Sequence, residues 1–216
     1  MLYKITFGLS TPVIYSDLPT FDALLSFCYA REHLGNSFTQ KINLSKEECE
    51  VFQNMPLLRH EKGWYYASWM QFDDNHKASY QDSFKKRWAN KNDDIADFKK
   101  VARKVNIRGG EYKSYMIPYE LVRLRECWFY FATNELSKVE HLIEKHLRGI
   151  GKKIGSGFGA FYDYKIEEHN VDNKEQYFID NLLRPIPCDT PLENGVMMSW
   201  KPPYWAPCNI GICKTN

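Results

Sequence analysis

Residues 2–9, LYKITFGL, alternate apolar and polar side chains, and their β-branched and aromatic content predicts a strand. Pro12, Asp17 and Pro19 then mark a loop, and Thr20 stands where a helix cap belongs. The helix that follows, FDALLSFCYAREHL, carries Phe21, Leu24, Leu25, Phe27, Cys28 and Leu34 on a wide apolar face, with Gly35 as its stop. Ser45 and Glu48 form a capping box for a short helix, KEECEVFQN, with Pro56 beyond it. GWYYASWMQF, residues 63–72, predicts a second strand. The next stretch, residues 73–104, is polar and basic with few aliphatic side chains. It reads as an insertion with a helix at 98–104. A strand pair then starts near Val105, turns at Arg108-Gly109-Gly110-Glu111 and returns over residues 112–118.

Residues 121–132, LVRLRECWFYFA, alternate at first and then run continuously apolar, as a buried central strand does. Asn134 caps a helix, ELSKVEHLIEKHL, whose apolar side holds Leu136, Val139, Leu142, Ile143 and Leu147. A glycine-rich loop, residues 149–159, leads to a last strand over 160–166. The tail, residues 172–216, contains Pro185, Pro187, Pro191, Pro202, Pro203 and Pro207 and is expected to hold little regular structure. The order strand, helix, strands, helix, glycine loop, strand predicts an α+β, ferredoxin-like (split βαβ) fold. Residues 1–171 form the domain, with an insertion at about 73–118 and a C-terminal extension over 172–216.

Charge sharpens this picture. Net charge is only +2, but from Lys77 to Lys113 there are eleven Lys or Arg against five Asp or Glu. The positive charge is therefore concentrated in the insertion, as a surface loop or as the footprint of an anionic partner. The start, MLYKITFGLSTPVIYS, lacks the features of a secretory signal, and no run approaches the roughly 18 apolar residues that span a bilayer. A cytoplasmic protein with no membrane partner is expected. Six cysteines stand apart without a CxxC pair, so free thiols and no metal or other cofactor are expected.

The glycine loop carries the strongest chemical signal. Gly149, Gly151, Gly155, Gly157 and Gly159 fall within eleven residues, and each costs roughly 0.5–1 kcal/mol of chain entropy relative to alanine. Such clustering fits a backbone that needs positive φ or close approach by a ligand, and successive exposed N–H groups form anion sites. Lys152 and Lys153 add positive charge there. A Walker loop or dinucleotide fingerprint would follow a strand and open a helix. This loop does the reverse.

The segment HLRGIGKKIGSGFGAFYDY resembles the carboxy-terminal glycine-rich loop of the RAMP superfamily of CRISPR-associated proteins. PTFDALLSFCYARE after the first strand and IRGGEYKSYMIPYE before the long strand point the same way. FDALL, GKKIGSGFG and the late RPIP and PPYW segments are most similar to the Cas-five-like RAMP subunit of type IV CRISPR effector complexes. The resemblance implies an RRM-like RAMP fold in a ribonucleoprotein, binding guide RNA (crRNA) at its repeat-derived 5′ handle. The implied protein partners are the backbone-forming and large subunits, with target DNA at most an indirect contact. On this reading residues 149–159, with Lys152 and Lys153, hold the handle. A basic thumb-like insertion with Lys85, Lys86, Arg87, Arg103, Lys104 and Arg108 faces it, and Tyr80, Phe84 and Trp88 either stack on bases or hold the insertion together. Trp200, Tyr204 and Trp205 in the tail either dock a neighbour or cover the domain's own core.

Two rival functions follow from the same residues. Related RAMP proteins cut precursor RNA without metal, and His33, at the end of the first helix, is the best-placed candidate base. His141 and His146 are five apart, roughly 140° around a helix, and poorly placed to pair. No hydrolase or metalloprotease motif is present, so a non-catalytic RNA binder is the expectation. The other rival is a generic ferredoxin-like RNA-binding domain, although the RRM aromatic signature is missing.

Overall fold

The computed structural model describes residues 1–35, 50–86, 108, 115–188, 195–204 and 206–215. The capping box at 45–48, the helix at 98–104 and the strand start at Val105 lie outside them. The described chain falls into two compact units, Met1–Lys77 with Arg123–Asn216, and Ala78–Val122.

In the first unit, β1 (Leu2–Leu9) is the central strand of an antiparallel sheet, flanked by β4 (Glu126–Ala132) and β5 (Phe161–Glu168). On β4, Leu2 lies opposite Ala132 and Gly8 opposite Glu126; on β5, Tyr3 lies opposite Glu168. The alternation predicted for β1 is realised: Ile5 and Phe7 are fully buried. The predicted strand over 63–72 is not regular. Its backbone instead runs along β4 through isolated antiparallel bridges, Ala67 to Phe131 and Gln71 to Trp128. Ser68 N donates to Tyr130 O at 2.8 Å, and Arg59 bridges Tyr65 on the other edge. The single strand predicted over 121–132 breaks at Leu124 and Arg125, and β4 begins only after them.

Helix α1 (Phe21–Leu34) buries Phe21, Leu25 and Cys28. The Phe21 ring stacks on Phe131 at 4.5 Å and lies 5.7 Å from Phe129, joining helix to sheet. Burying each such ring or Leu side chain stabilises by about 1.5–3 kcal/mol. Thr20 is the N-cap residue, but its hydroxyl is not used for capping; it pairs with the Tyr204 hydroxyl at 2.9 Å. Gly35 ends the helix at φ 73°, as its lack of Cβ allows. Helix α2 (Leu136–His146) buries Val139, Leu142 and Ile143. Asn134 does not cap it: the N-cap is Glu135, whose N–H is taken by Thr133 Oγ1 at 2.9 Å.

The tail is far more regular than its prolines suggest. It forms α3 (Lys174–Asp180) and a sheet of β6 (Ile186–Pro187), β8 (Ile210–Lys214) and β7 (Val196–Ser199), in that order. Phe178 of α3 is buried among Leu2, Trp64, Tyr66 and Leu183, and Trp200 packs against this cluster. Arg184 is wholly buried. Its guanidinium meets Asp22 at 3.3 Å, donates to the carbonyls of Tyr65 and Trp200, and lies 5.3 Å from the Trp64 ring centre. The Tyr204 hydroxyl donates to Asp22 at 2.8 Å. Burial, then the neighbouring Asp22 carboxylate, pushes that phenol well above its ordinary value. Trp200 and Tyr204 thus serve the domain's own core, and Trp205 lies outside the described residues.

The second unit holds β2 (Ala78–Lys86) paired with β3 (Tyr115–Arg123) in a two-stranded ribbon. The insertion predicted at about 73–118 is thus a strand pair in its described part. Among the described residues no helix is long and apolar enough to cross a membrane.

Candidate nucleic-acid interface

The connection from α2 to β5 is built against the chain that follows β1. Lys152 N donates to Ile14 O at 2.7 Å, Gly159 N to Pro12 O at 2.8 Å, and Ala160 N to Thr11 Oγ1 at 2.8 Å. Ile150 N and Gly159 O close the base of the loop at 2.8 Å. Ile150, Lys152 and Gly159 lie in the stretch 149–159 whose amides are expected from sequence to hold an anion. Backbone donors of a packed loop need partners, and here Thr11, Pro12, Ile14 and the loop's own Gly159 carbonyl supply them.

The five glycines consequently do different jobs. A Cβ on Gly159 would clash with the Ile150 carbonyl oxygen, and its φ is +66°. A Cβ on Gly151, at φ +92°, would meet Ile14 O at 2.5 Å. Gly149 faces Gly159 O at 2.9 Å, so these three are fixed by the fold. Gly157 has open space but a φ of +88°. Gly155 alone among the five has neither a positive φ nor any atom within 4 Å of where a Cβ would lie. Nothing in the fold demands glycine there.

Gly155 belongs to an exposed tip with charged neighbours. Lys152 and Lys153 are exposed; Lys152 Nζ reaches Ser16 Oγ at 2.7 Å, and Lys153 takes a left-handed backbone at φ 56°. Arg148 is held against the end of α2 by bonds to the carbonyls of Glu144 at 3.2 Å and Lys145 at 2.9 Å. The residue's fixed position at a helix C-terminus suits its charge. Sequence reading misses Arg148 because it sits outside the glycine pattern; a cation three or four residues after helix carbonyls is the available signal.

Beside the tip, a groove of about 500 Å³ runs between α1 and the glycine loop, lined by Leu24, Phe27, Arg31, Leu147, Gly155 and others. Phe27, predicted as part of the core face, is instead 39% exposed, with the Arg31 guanidinium 5.6 Å from its ring centre. Glu32 lies between the helices, accepting from His146 Nε2 at 2.5 Å and Lys145 Nζ at 2.9 Å. Those two bonds, His146 first, bring its carboxyl down to about 2.

His33 does not share this groove. Its ring lies tilted against Tyr29, centroids 4.2 Å apart, and it lines a separate cavity of about 350 Å³ with Lys138 and His141. Sequence spacing does not pair His33 with His141, because they stand on different helices. Among the described residues no cluster of His, Cys, Asp and Glu is arranged to hold a metal.

In the second unit, Tyr80 and Phe84 are 51% and 41% exposed, and Phe84 lies 6.3 Å from Tyr115. Tyr115 and Ile117 are likewise exposed, so the ribbon presents aromatic and apolar surface to solvent. Lys85 and Arg108 are exposed, and Lys86 ends β2. Arg87, Trp88, Arg103 and Lys104 lie outside the described residues.

Among known protein families, the profile of one described as CRISPR type IV associated protein Csf3 matches residues 2–215. No curated protein matches the chain.

Proposed function

Because the chain belongs to the Csf3 family of type IV CRISPR-associated proteins, we propose that it is a non-catalytic crRNA-binding subunit of the effector ribonucleoprotein, capping the repeat-derived 5′ handle. The observation that carries this reading is Gly155. A glycine that the fold does not need, exposed two residues after Lys153 and bordering the groove that Arg148 lines, is explained by a ligand backbone approaching closely. Phosphate suits the surrounding charge. The aromatic ribbon bearing Tyr80 and Phe84 supplies a second surface, on which bases stack because every base offers a π face. The backbone-forming and large subunits are its expected neighbours. The strand order, with residues 64–71 beside β4, then β1 and β5, supports a ferredoxin-like RAMP domain.

Lys152→Glu with Lys153→Glu tests the reading. Single-strand RNA affinity should fall, and the slope of log K against log salt should flatten by about 0.7 for each phosphate no longer neutralised. Unchanged affinity and slope remove the loop from the interface.

A second reading, metal-independent cleavage of precursor RNA, is favoured by one observation: His33, His141 and Lys138 share a cavity. Co-expression with neighbouring genes, followed by mapping of bound RNA ends, separates the two. Uniform 5′ ends that survive His33→Ala support the cap; ends that disappear with it support the nuclease. Membership of the Csf3 family favours a CRISPR effector subunit over a generic RNA-binding domain.

A further inference from the structure

We propose that the groove between α1 and the glycine loop takes one unstacked nucleobase of the bound RNA. The inference rests on the reading that the loop tip holds RNA phosphate, and it adds a place where a base is read. Leu24 and Phe27 of α1 form one apolar wall, and Leu147 and Ile154 form the other. At about 500 Å³ the groove lies in the range of small-molecule sites and holds a base with its ribose.

Two further observations select a nucleobase as the occupant. The first is the ring of Phe27, left 39% exposed on a helix whose Phe21 and Leu25 are buried, with the Arg31 guanidinium beside it. Flat aromatic and guanidinium surfaces are what unpaired bases stack on. The second is charge. Arg31 and Arg148 line the groove, with Lys152 and Lys153 next to it. Among the described residues, Glu32 is engaged by Lys145 and His146, and Glu144 by the Tyr164 hydroxyl at 3.2 Å. A ligand that is apolar at one end and anionic a few ångströms away complements both features. An apolar side chain of a protein partner would use only the first. Gly155 borders the groove, so a strand whose phosphate passes the tip delivers its next base to the opening.

The test uses the full chain and the RNA that co-purifies with it, sequenced and resynthesised with one abasic position at a time. One position should cost about 5–150-fold in affinity, in keeping with stacking worth roughly 1–3 kcal/mol per base, and the others less than about twofold. In Phe27→Ala, and in Phe27→Leu, which keeps apolar volume, that difference should vanish. Leu24→Trp, which fills the groove, should weaken intact RNA but not the abasic form. A flat abasic scan with binding that still depends on Lys152 and Lys153 overturns the base site and leaves the handle reading standing. Binding indifferent to Lys152 and Lys153 overturns both. Full RNA affinity in Phe27→Ala, with a neighbouring subunit missing from the purified complex, makes the groove a protein contact instead.

Discussion

Replacing Gly159 and Gly155 by alanine, one at a time, separates glycines that build the loop from the one that serves a ligand. At Gly159 an alanine must adopt a left-handed backbone, which costs about 1–2 kcal/mol for an L-residue. Its Cβ also displaces the Ile150 carbonyl, which strains the Ile150–Gly159 bond at the loop base and the Gly159 bond to Pro12. Each hydrogen bond contributes about 0.5–1.5 kcal/mol net, so the total is roughly 3 kcal/mol. At about 2–4 °C per kcal/mol for a chain of this size, Tm should fall by about 6–12 °C. At Gly155 the sign reverses: φ is compatible and the space open, so alanine should stabilise by about 0.4–1 kcal/mol through the unfolded chain. RNA affinity, measured on the same samples, should nevertheless drop several-fold in Gly155→Ala. Thermal unfolding and filter binding read both quantities. Equal Tm losses in the two variants, or a Gly159→Ala protein as stable as the parent, would refute the partition. A Gly155→Ala protein with full RNA affinity would remove the reason for a glycine at the tip.

Asp22→Ala should leave Arg184 charged and buried without its carboxylate and cost about 3–5 kcal/mol, read as a lowered denaturation midpoint; a loss under about 1 kcal/mol would mean that Arg184 finds another partner. Tyr204→Phe removes only the hydroxyl between Thr20 and Asp22 and should cost about 1–2 kcal/mol in the same assay. Glu32 has its carboxyl lowered from 4.5 to about 2 in the folded state, so its contribution to stability is complete above 4.5 and is lost as pH falls toward 2. In Glu32→Gln the Tm–pH curve should flatten over that window; an unchanged acid limb would mean that the α1–α2 link contributes nothing.

Sequence periodicity locates β1, α1, β4 and α2 well, because each has one buried face and therefore a repeat of two or near 3.6. It fails where structure depends on distant neighbours. The five glycines look alike in the sequence; only the fold shows that Gly151 is obligatory because residues 13–14 pack against it, that Gly159 is obligatory because the Ile150 carbonyl closes on it, and that Gly155 is left unexplained. Phe27 reads as core since its helix is apolar on more than one side; exposure cannot be inferred from that pattern. The tail misleads most: its prolines argue against regular structure, while the decisive residue, Arg184, gives no sign in sequence that it will be buried against Asp22. Residues 63–72 have strand composition and lie along β4, yet interruptions in the ladder leave bridges rather than a strand.

The pairing of Asp22 with Arg184 and Tyr204 also bears on the order in which the molecule can be completed during synthesis. Helix α1 emerges early, with a carboxylate destined for a water-free interior. Its cationic partner follows 162 residues later and the capping hydroxyl 182 residues later. Until then the first helix can sit on the sheet only by burying an unpaired acid or by holding that end open to water. Closure of the first unit therefore waits for its last quarter, and a nascent chain stalled before Arg184 carries an exposed seam beside Trp64 and Tyr66, the surface that chaperones engage and that aggregation begins from.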